Sequence, residues 1–292
     1  MFGGYYMQPE ELLAKISEIR MWTRGDERAP HKPLLILYAL GQIGKTKDRY
    51  IPFDQVNENI TSLLMSFGPA RKSYRANFPF TRLVNDGIWV LDQPLDTTRD
   101  YSVQALKDVK GGFSDEVYSL LKNNPFLIKQ IAETILESNF PESIHEDILR
   151  AVGLDWEYTI KTSRDPNFRN RILIAYQYSC AVCGFNVRLG DALVAVEAAH
   201  IKWHQAGGPD IENNGLALCS MHHKLFDRGA FTINSSLKIQ VAQVVNGSAG
   251  LDEWLLRYKG KSVQEPQSSA YYPSESFIGW HNREVFRGPA RY

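Results

Sequence analysis

Residues 180–229 read CAVCGFNVRLGDALVAVEAAHIKWHQAGGPDIENNGLALCSMHHKLFDRG, and their spacing decides the fold of this part of the chain. Cys180-Ala-Val-Cys183 and Cys219-Ser-Met-His222 are two half-sites of the form C-x-x-[CH], with Cys183 and Cys219 36 positions apart. Two tight turns that each offer two ligands complete a tetrahedral shell for Zn²⁺, which suits soft thiolates and imidazole. All 3 cysteines of the chain fall in this set, so a disulfide framework is excluded. With four protein ligands the zinc is structural, and it substitutes for a large core in a small segment. Between the half-sites, ALVAVEAAHI has strand character and KWHQAGGPDIENNG that of a loop. LALC is a second strand and SMHHKLFDRG a short helix.

The order strand, loop, strand, helix resembles the ββα-metal finger of the HNH nucleases over residues 180–235. The residues that carry the resemblance are His200 in AAHI, Asn214 in ENNGLAL and His223 directly after the zinc ligand His222. The family's glycine loop stands here as GGPDIENNG. Phosphodiester hydrolysis needs a base that takes a proton from water at neutral pH, and a histidine, with its reference pKa of about 6.5, is suited to it. His200 is assigned that role. A divalent cation, Mg²⁺ or Mn²⁺ or another, must neutralise charge on the phosphate and on the leaving oxygen. His223 is assigned as its ligand from the helix. By resemblance Asn214 braces the loop that carries His200.

One position departs from the family pattern. Many HNH proteins carry Asp or His just before the first motif histidine, and here Ala199 stands there. Strand alternation puts His200 on one face with Ala198 and Val196 and Glu197 on the other, so Glu197 is not expected to fill the vacancy. Asp227, four residues after His223 on the same helix face, is the candidate substitute. His204 reads as a loop residue. The tail GWHNREVFRGPARY looks like the C-terminal extension of restriction-type HNH domains, with His281 expected to pack around Trp280.

The N-terminal half has a different character. Helical spacing of Leu12, Leu13, Ile16 and Ile19 predicts an amphipathic helix over residues 9–22, and HKPLLILYALGQI predicts a buried helix that ends near Gly44. FDQVNENITSLLMSFG predicts another, capped by Asp54. Asp86-Gly87 mark a turn into a short strand, and SDEVYSLLKNN and PFLIKQIAETILESNF are two further helices. Residues 70–82, ARKSYRANFPFTR, carry Arg71, Lys72, Arg75 and Arg82 with no acid, interleaved with Tyr74, Phe78 and Phe80. A helix over NFRNRILIAYQYS follows, capped by Asp165, with Arg169 and Arg171 adding to Lys161 and Arg164. The fold class expected is α+β: a mainly helical N-terminal domain over 1–150, a linker over 151–164, and a zinc-stapled ββα-metal domain over 165–292.

APHKPLLILYALGQI followed by FPFTRLVNDGIWVL resembles the sulfur-binding domain of phosphorothioation-dependent (type IV, McrA-like) restriction endonucleases, over most of residues 8–150. The resemblance implies a shallow apolar cage ringed by basic groups that reads double-stranded DNA in which sulfur replaces a phosphate oxygen. His31 and Lys32 become polar contacts at a helix start, Phe78 and Pro79 the walls, and Arg75 and Arg82 phosphate or base contacts. Arg28, Arg71 and Tyr74 complete the expected DNA-binding set. Phe78 stands where Tyr is frequent and Lys32 where Arg is frequent, and Lys lacks the planar fork of Arg.

Composition sets the remaining bounds. Of 292 residues 43% are hydrophobic and 23% charged, which is ordinary for a globular protein, and 33 basic residues balance 33 acidic ones. No apolar run spans a bilayer and no secretory signal opens the chain, so a cytoplasmic location is expected. The function expected is restriction of phosphorothioated DNA. The alternatives are a nuclease that reads another mark, such as a methylated base, and a non-catalytic zinc module that binds DNA. A duplex break needs two cuts, made by a homodimer or in two binding events. The H-x-E before P-C-x-x-C of zinc deaminases is absent.

Overall fold

A computed structural model of the chain describes residues 7–19, 26–43, 45, 48–154 and 166–292. Gly44, Lys161, Arg164 and the Asp165 cap lie outside the described residues, as does most of the expected linker. The described residues divide into two compact units. One holds residues 7–19, those between 29 and 139, and 145–154; the other holds 26–28, 140–144 and 166–292. Two short segments from the N-terminal half, 26–28 and 140–144, therefore pack with the part that carries Cys180, Cys183, Cys219 and His222.

In the first unit the longest apolar run becomes its central helix. α1 (Pro9–Ser17) is followed by α2 (His31–Gln42), in which every residue from Pro33 to Gly41 is buried. A helix apolar all round must be covered on all sides. α2 packs against α3 (Phe53–Phe67), α4 (Asn77–Arg82), α6 (Pro125–Asn139) and α7 (His145–Val152). α3 begins at Phe53 behind its cap Pro52, so Asp54 lies in its first turn and is not its cap; the helix starts two residues earlier than a cap at Asp54 would set.

A small antiparallel sheet of β1 (Ile51–Pro52), β3 (Lys110–Phe113) and β2 (Trp89–Leu91), in that order, closes the unit beside α5 (Asp115–Lys122). Gly87, at φ 72°, makes the turn that leads into β2. The basic stretch is partly regular, because Asn77–Arg82 forms α4 and sends Phe80 into the core while Phe78 stays half-buried.

The second unit is built on the hairpin of β6 (Val196–His200) and β7 (Gly215–Cys219), with Val196 opposite Cys219 and His200 opposite Gly215. α8 (Pro166–Ala175) lies across this pair, and α9 (Ser220–Asp227) leaves β7 directly. A Cβ on Gly215 would stand 2.2 Å from the Ile172 side chain, so glycine permits the close approach of α8. Between Cys183 and β6 projects a short hairpin, β4 (Arg188–Leu189) with β5 (Ala192–Leu193). β8 (Phe231–Ile233) pairs with β9 (Ile239–Val241), followed by α10 (Leu251–Trp254) and α11 (Glu275–Glu284). α11 buries Trp280, His281 and Glu284. The His281 ring stacks on Phe226 at 3.7 Å and bonds Thr232 through Nδ1 (2.8 Å) and the Phe226 carbonyl through Nε2 (3.2 Å). No described helix is long and apolar enough to cross a membrane.

Candidate active site and nucleic-acid interface

The Cys183 turn and the first turn of α9 bring Cys180, Cys183, Cys219 and His222 together, with all four donor atoms within 4.8 Å of one another. His222 Nδ1 lies 3.2 Å from Cys219 Sγ and 3.7 Å from Cys180 Sγ, and Cys183 Sγ lies 3.9 Å from Cys219 Sγ. A tetrahedral ion with Zn–S bonds of about 2.3 Å separates its ligands by about 3.5–3.8 Å, so the set fits zinc. His222 Nε2 donates to the Trp254 carbonyl at 2.8 Å, which leaves Nδ1 as the coordinating nitrogen. Hydrogen bonds from Cys183 and Cys219 hold the Cys180 thiol far below the usual thiol range, and those with Cys180 and Cys219 push Cys183 up. Burial depresses the His222 imidazole, but the bonds and charge of Cys180 and Cys219 outweigh it and raise its pKa to about 10.

His200, at the end of β6, and His223, on α9, line one small pocket with Trp203, His204, Gln205, Asp227 and Pro141. The Phe168 ring of α8 stacks on His200 at 4.2 Å, and His200 Nε2 lies 2.7 Å from Asp210 Oδ1. Asn214 is fully buried and points at backbone. Its Nδ2 donates to the carbonyls of Lys202 (3.0 Å) and Pro209 (2.9 Å), and its Oδ1 accepts from Lys202 N (2.8 Å). It thereby ties the start of the glycine loop to its end. Gly208 is required there, because a Cβ would stand 1.9 Å from the Lys202 carbonyl oxygen.

His223 is held at both nitrogens. Nδ1 meets Glu197 Oε2 at 2.6 Å, and Nε2 meets Asp227 Oδ2 at 3.1 Å. Glu197 leaves β6 on the face opposite His200, as alternation along the strand requires. α9 crosses the face that carries Glu197, so this side chain reaches Ser220 (2.6 Å) and His223. It acts on the His223 ring and does not occupy the place of Ala199, which is buried.

Asp227 is 3% exposed and also accepts from Trp203 Nε1 (3.1 Å) and the Ser143 hydroxyl. An ion with bonds of about 2.1 Å to two adjacent ligands holds them about 3 Å apart, which matches His223 Nε2 and Asp227 Oδ2. Burial lowers the His223 pKa, but the Asp227 and Glu197 carboxylates outweigh it and raise it to about 9. The pair favours a cation between or upon them.

In the first unit His31, Lys32, Arg71, Arg75, Phe78, Pro79 and Arg82 line one groove of about 710 Å³, together with Ala29, Lys72, Ser73 and Asp100. The guanidinium groups of Arg75 and Arg82 lie over the Phe78 ring at 5.3 and 5.4 Å. Lys32 Nζ is fixed by Asp86 at 2.5 Å, and Arg82 pairs with Asp100 at 2.5 Å. Burial, and then the charge of Arg71, lowers the pKa of His31, so its ring is neutral at pH 7. Two residues of the expected set, Tyr74 and Arg28, are not among those that line the groove. Arg28 belongs to the second unit, where its guanidinium lies 3.9 Å over the Trp203 ring and donates to the Glu284 carbonyl at 3.0 Å. Those contacts occupy the group that was expected to meet DNA.

Spacing did not single out Asp210, Glu197, Phe168 or Asp100. Asp210 stands at the acidic position of the glycine loop and was the most legible of them. The other three come from separate elements and carry no local signal.

Residues 9–157 match the family model of the ScoMcrA-like DNA sulfur-binding domain, and residues 180–234 that of the HNH endonucleases. Among solved structures, the sulfur-binding domain of ScoMcrA complexed with phosphorothioated DNA is 22% identical, with a TM-score of 0.42 over 49% of this chain and 94% of that one. The corresponding SprMcrA domain is 20% identical, with a TM-score of 0.44 over 51% and 95%. The type IV phosphorothioation-dependent restriction endonuclease ScoMcrA is 21% identical, with a TM-score of 0.39 over 49% of this chain and 32% of that one. No curated protein matches the chain. By its match over residues 9–157 the chain belongs to the family of the ScoMcrA-like DNA sulfur-binding domain, and it carries an HNH endonuclease domain behind it.

Proposed function

We propose that the protein is a type IV restriction endonuclease that binds phosphorothioated duplex DNA in the groove of its first unit and cuts it with His200 as the base. The observation that carries this is the groove wall, where the apolar faces of Phe78 and Pro79 sit among Lys32, Arg71, Arg75 and Arg82. Sulfur is larger, more polarizable and more weakly hydrated than oxygen, so an aromatic and proline surface gains by covering it. The cationic rim holds the backbone charge and orients the duplex.

In the second unit His200 takes a proton from water, whose oxygen attacks phosphorus. The P–O bond to the leaving oxygen breaks, and that oxygen is protonated by solvent. A divalent cation on His223 and Asp227 supplies charge neutralisation at the phosphate when bound. Glu197 fixes the ring of His223, and Asn214 fixes the loop beside His200. Zinc on the Cys180, Cys183, Cys219 and His222 set is structural. Cysteines used as metal ligands and a DNA substrate support a cytoplasmic site of action, and a duplex break calls for a homodimer or two successive encounters.

The test is cleavage of matched plasmids, with and without phosphorothioation, in Mg²⁺ and in Mn²⁺. Cutting confined to the modified plasmid is expected. Equal binding of sulfur-free and phosphorothioated duplexes of one sequence sinks the sulfur reading, and no nicking with either ion sinks the nuclease reading.

A further inference from the structure

We infer that Asp210 is the positioning residue of His200: its carboxylate accepts the Nε2 proton and presents Nδ1 as the base. This deepens the proposed nuclease reaction and rests on His200 being its base. His200 Nε2 and Asp210 Oδ1 are 2.7 Å apart, a charge-assisted hydrogen-bond distance and shorter than the separation of two ligands on one cation. A neutral imidazole carries one N–H, so a carboxylate on Nε2 selects the tautomer with the lone pair on Nδ1. The same contact stabilises the imidazolium that forms when Nδ1 takes the water proton, as in histidine–carboxylate pairs generally.

The segment that carries Asp210 is held from two sides, by Asn214 and by α8. Asn214 grips the carbonyl of Pro209 at 2.9 Å, one residue before it. Arg171 of α8 donates to the Asp210 carbonyl at 2.6 Å and pairs with Glu212 at 3.0 Å. Phe168, one turn earlier on α8, stacks on the opposite partner, His200. The same helix thus grips both members of the pair. The buried asparagine, whose side chain bonds the backbone of Lys202 and Pro209, acts by placing the segment that carries the carboxylate.

The experiment is Asp210→Asn in the full chain, with two readouts. In ¹⁵N-histidine-labelled protein, two-bond ring correlations report each tautomer. With 7 histidines the His200 signal is assigned by its loss in His200→Gln. Wild type is expected to show the Nε2-protonated form, and Asp210→Asn to lose or invert it because the amide can donate to Nε2. On phosphorothioated DNA, kcat is expected to fall by about 10²-fold or more with KM within about threefold. An unchanged tautomer overturns the inference even if activity falls, since the residue then serves only the loop. An unchanged kcat overturns it as well. If the wild type does not cut at all, the nuclease reading fails, while the tautomer still decides whether Asp210 orients His200.

Discussion

The cleavage pocket and the reading groove are built to opposite standards of fixity. His200, His223 and Asp227 are 6%, 5% and 3% exposed, and each is gripped by partners from different elements. In the groove the Arg82–Asp100 pair is 45% and 60% exposed, and Arg75 and Arg82 lean on Phe78. Exposed pairs of this kind contribute about 0–1 kcal/mol, so a phosphate can replace the acid at little cost. Buried polar groups cannot rearrange so cheaply, because each broken contact leaves a polar atom unsatisfied. Hydrolysis needs its base aligned before substrate arrives, whereas binding to a duplex tolerates cations that settle onto it.

The sharpest break in this comparison is removal of zinc. Structural zinc contributes on the order of 10 kcal/mol or more to small folds, so chelation should abolish the melting transition of the second unit and all cleavage. Binding to phosphorothioated DNA should persist, and loss of binding with the metal would show that the two units are not separable in this way. His200→Ala comes next, with cleavage expected to drop by about 10³-fold while gel-shift affinity is unchanged.

His281 tests the packing behind the pocket. Burial lowers its pKa to about 4, against 6.5 for the exposed ring. The unfolded chain binds the extra proton between these values, so this contribution is full above pH 6.5 and is lost as pH falls toward 4. The loss amounts to about 3 kcal/mol. In denaturant melts the stability advantage of wild type over His281→Gln should shrink across that window, and a constant gap would contradict neutral burial. The smallest effect is expected in the groove. Phe78→Ala should cut the preference for phosphorothioated over plain DNA by about tenfold, or about 1.4 kcal/mol, in competition binding.

Much of the site was readable because its spacings interlock. Cys180, Cys183, Cys219 and His222 are bound to local turns, and His200, Asn214 and His223 to the hairpin between them, so linear distance translates directly into geometry. The helices of the first unit were legible from apolar periodicity, most clearly α2. The short strands β1 and β3 were not, since two to four residues carry too little pattern. Asp54 misled as a cap because Pro52 already ends the extended segment.

By itself the sequence determined the zinc set, the order of strand, loop, strand and helix, and the basic-aromatic composition of the groove. Those depend on neighbours along the chain. Only the tertiary structure decided that Glu197 turns to His223, that Asp210 meets His200, and that Arg28 lies over Trp203. It also decided that Ser143, from the N-terminal half of the chain, bonds Asp227. Each of these joins residues from different elements, and their meeting is settled by how helices pack across sheet faces. Alternation along a strand states which way a side chain leaves the backbone, and packing alone states what it finds there.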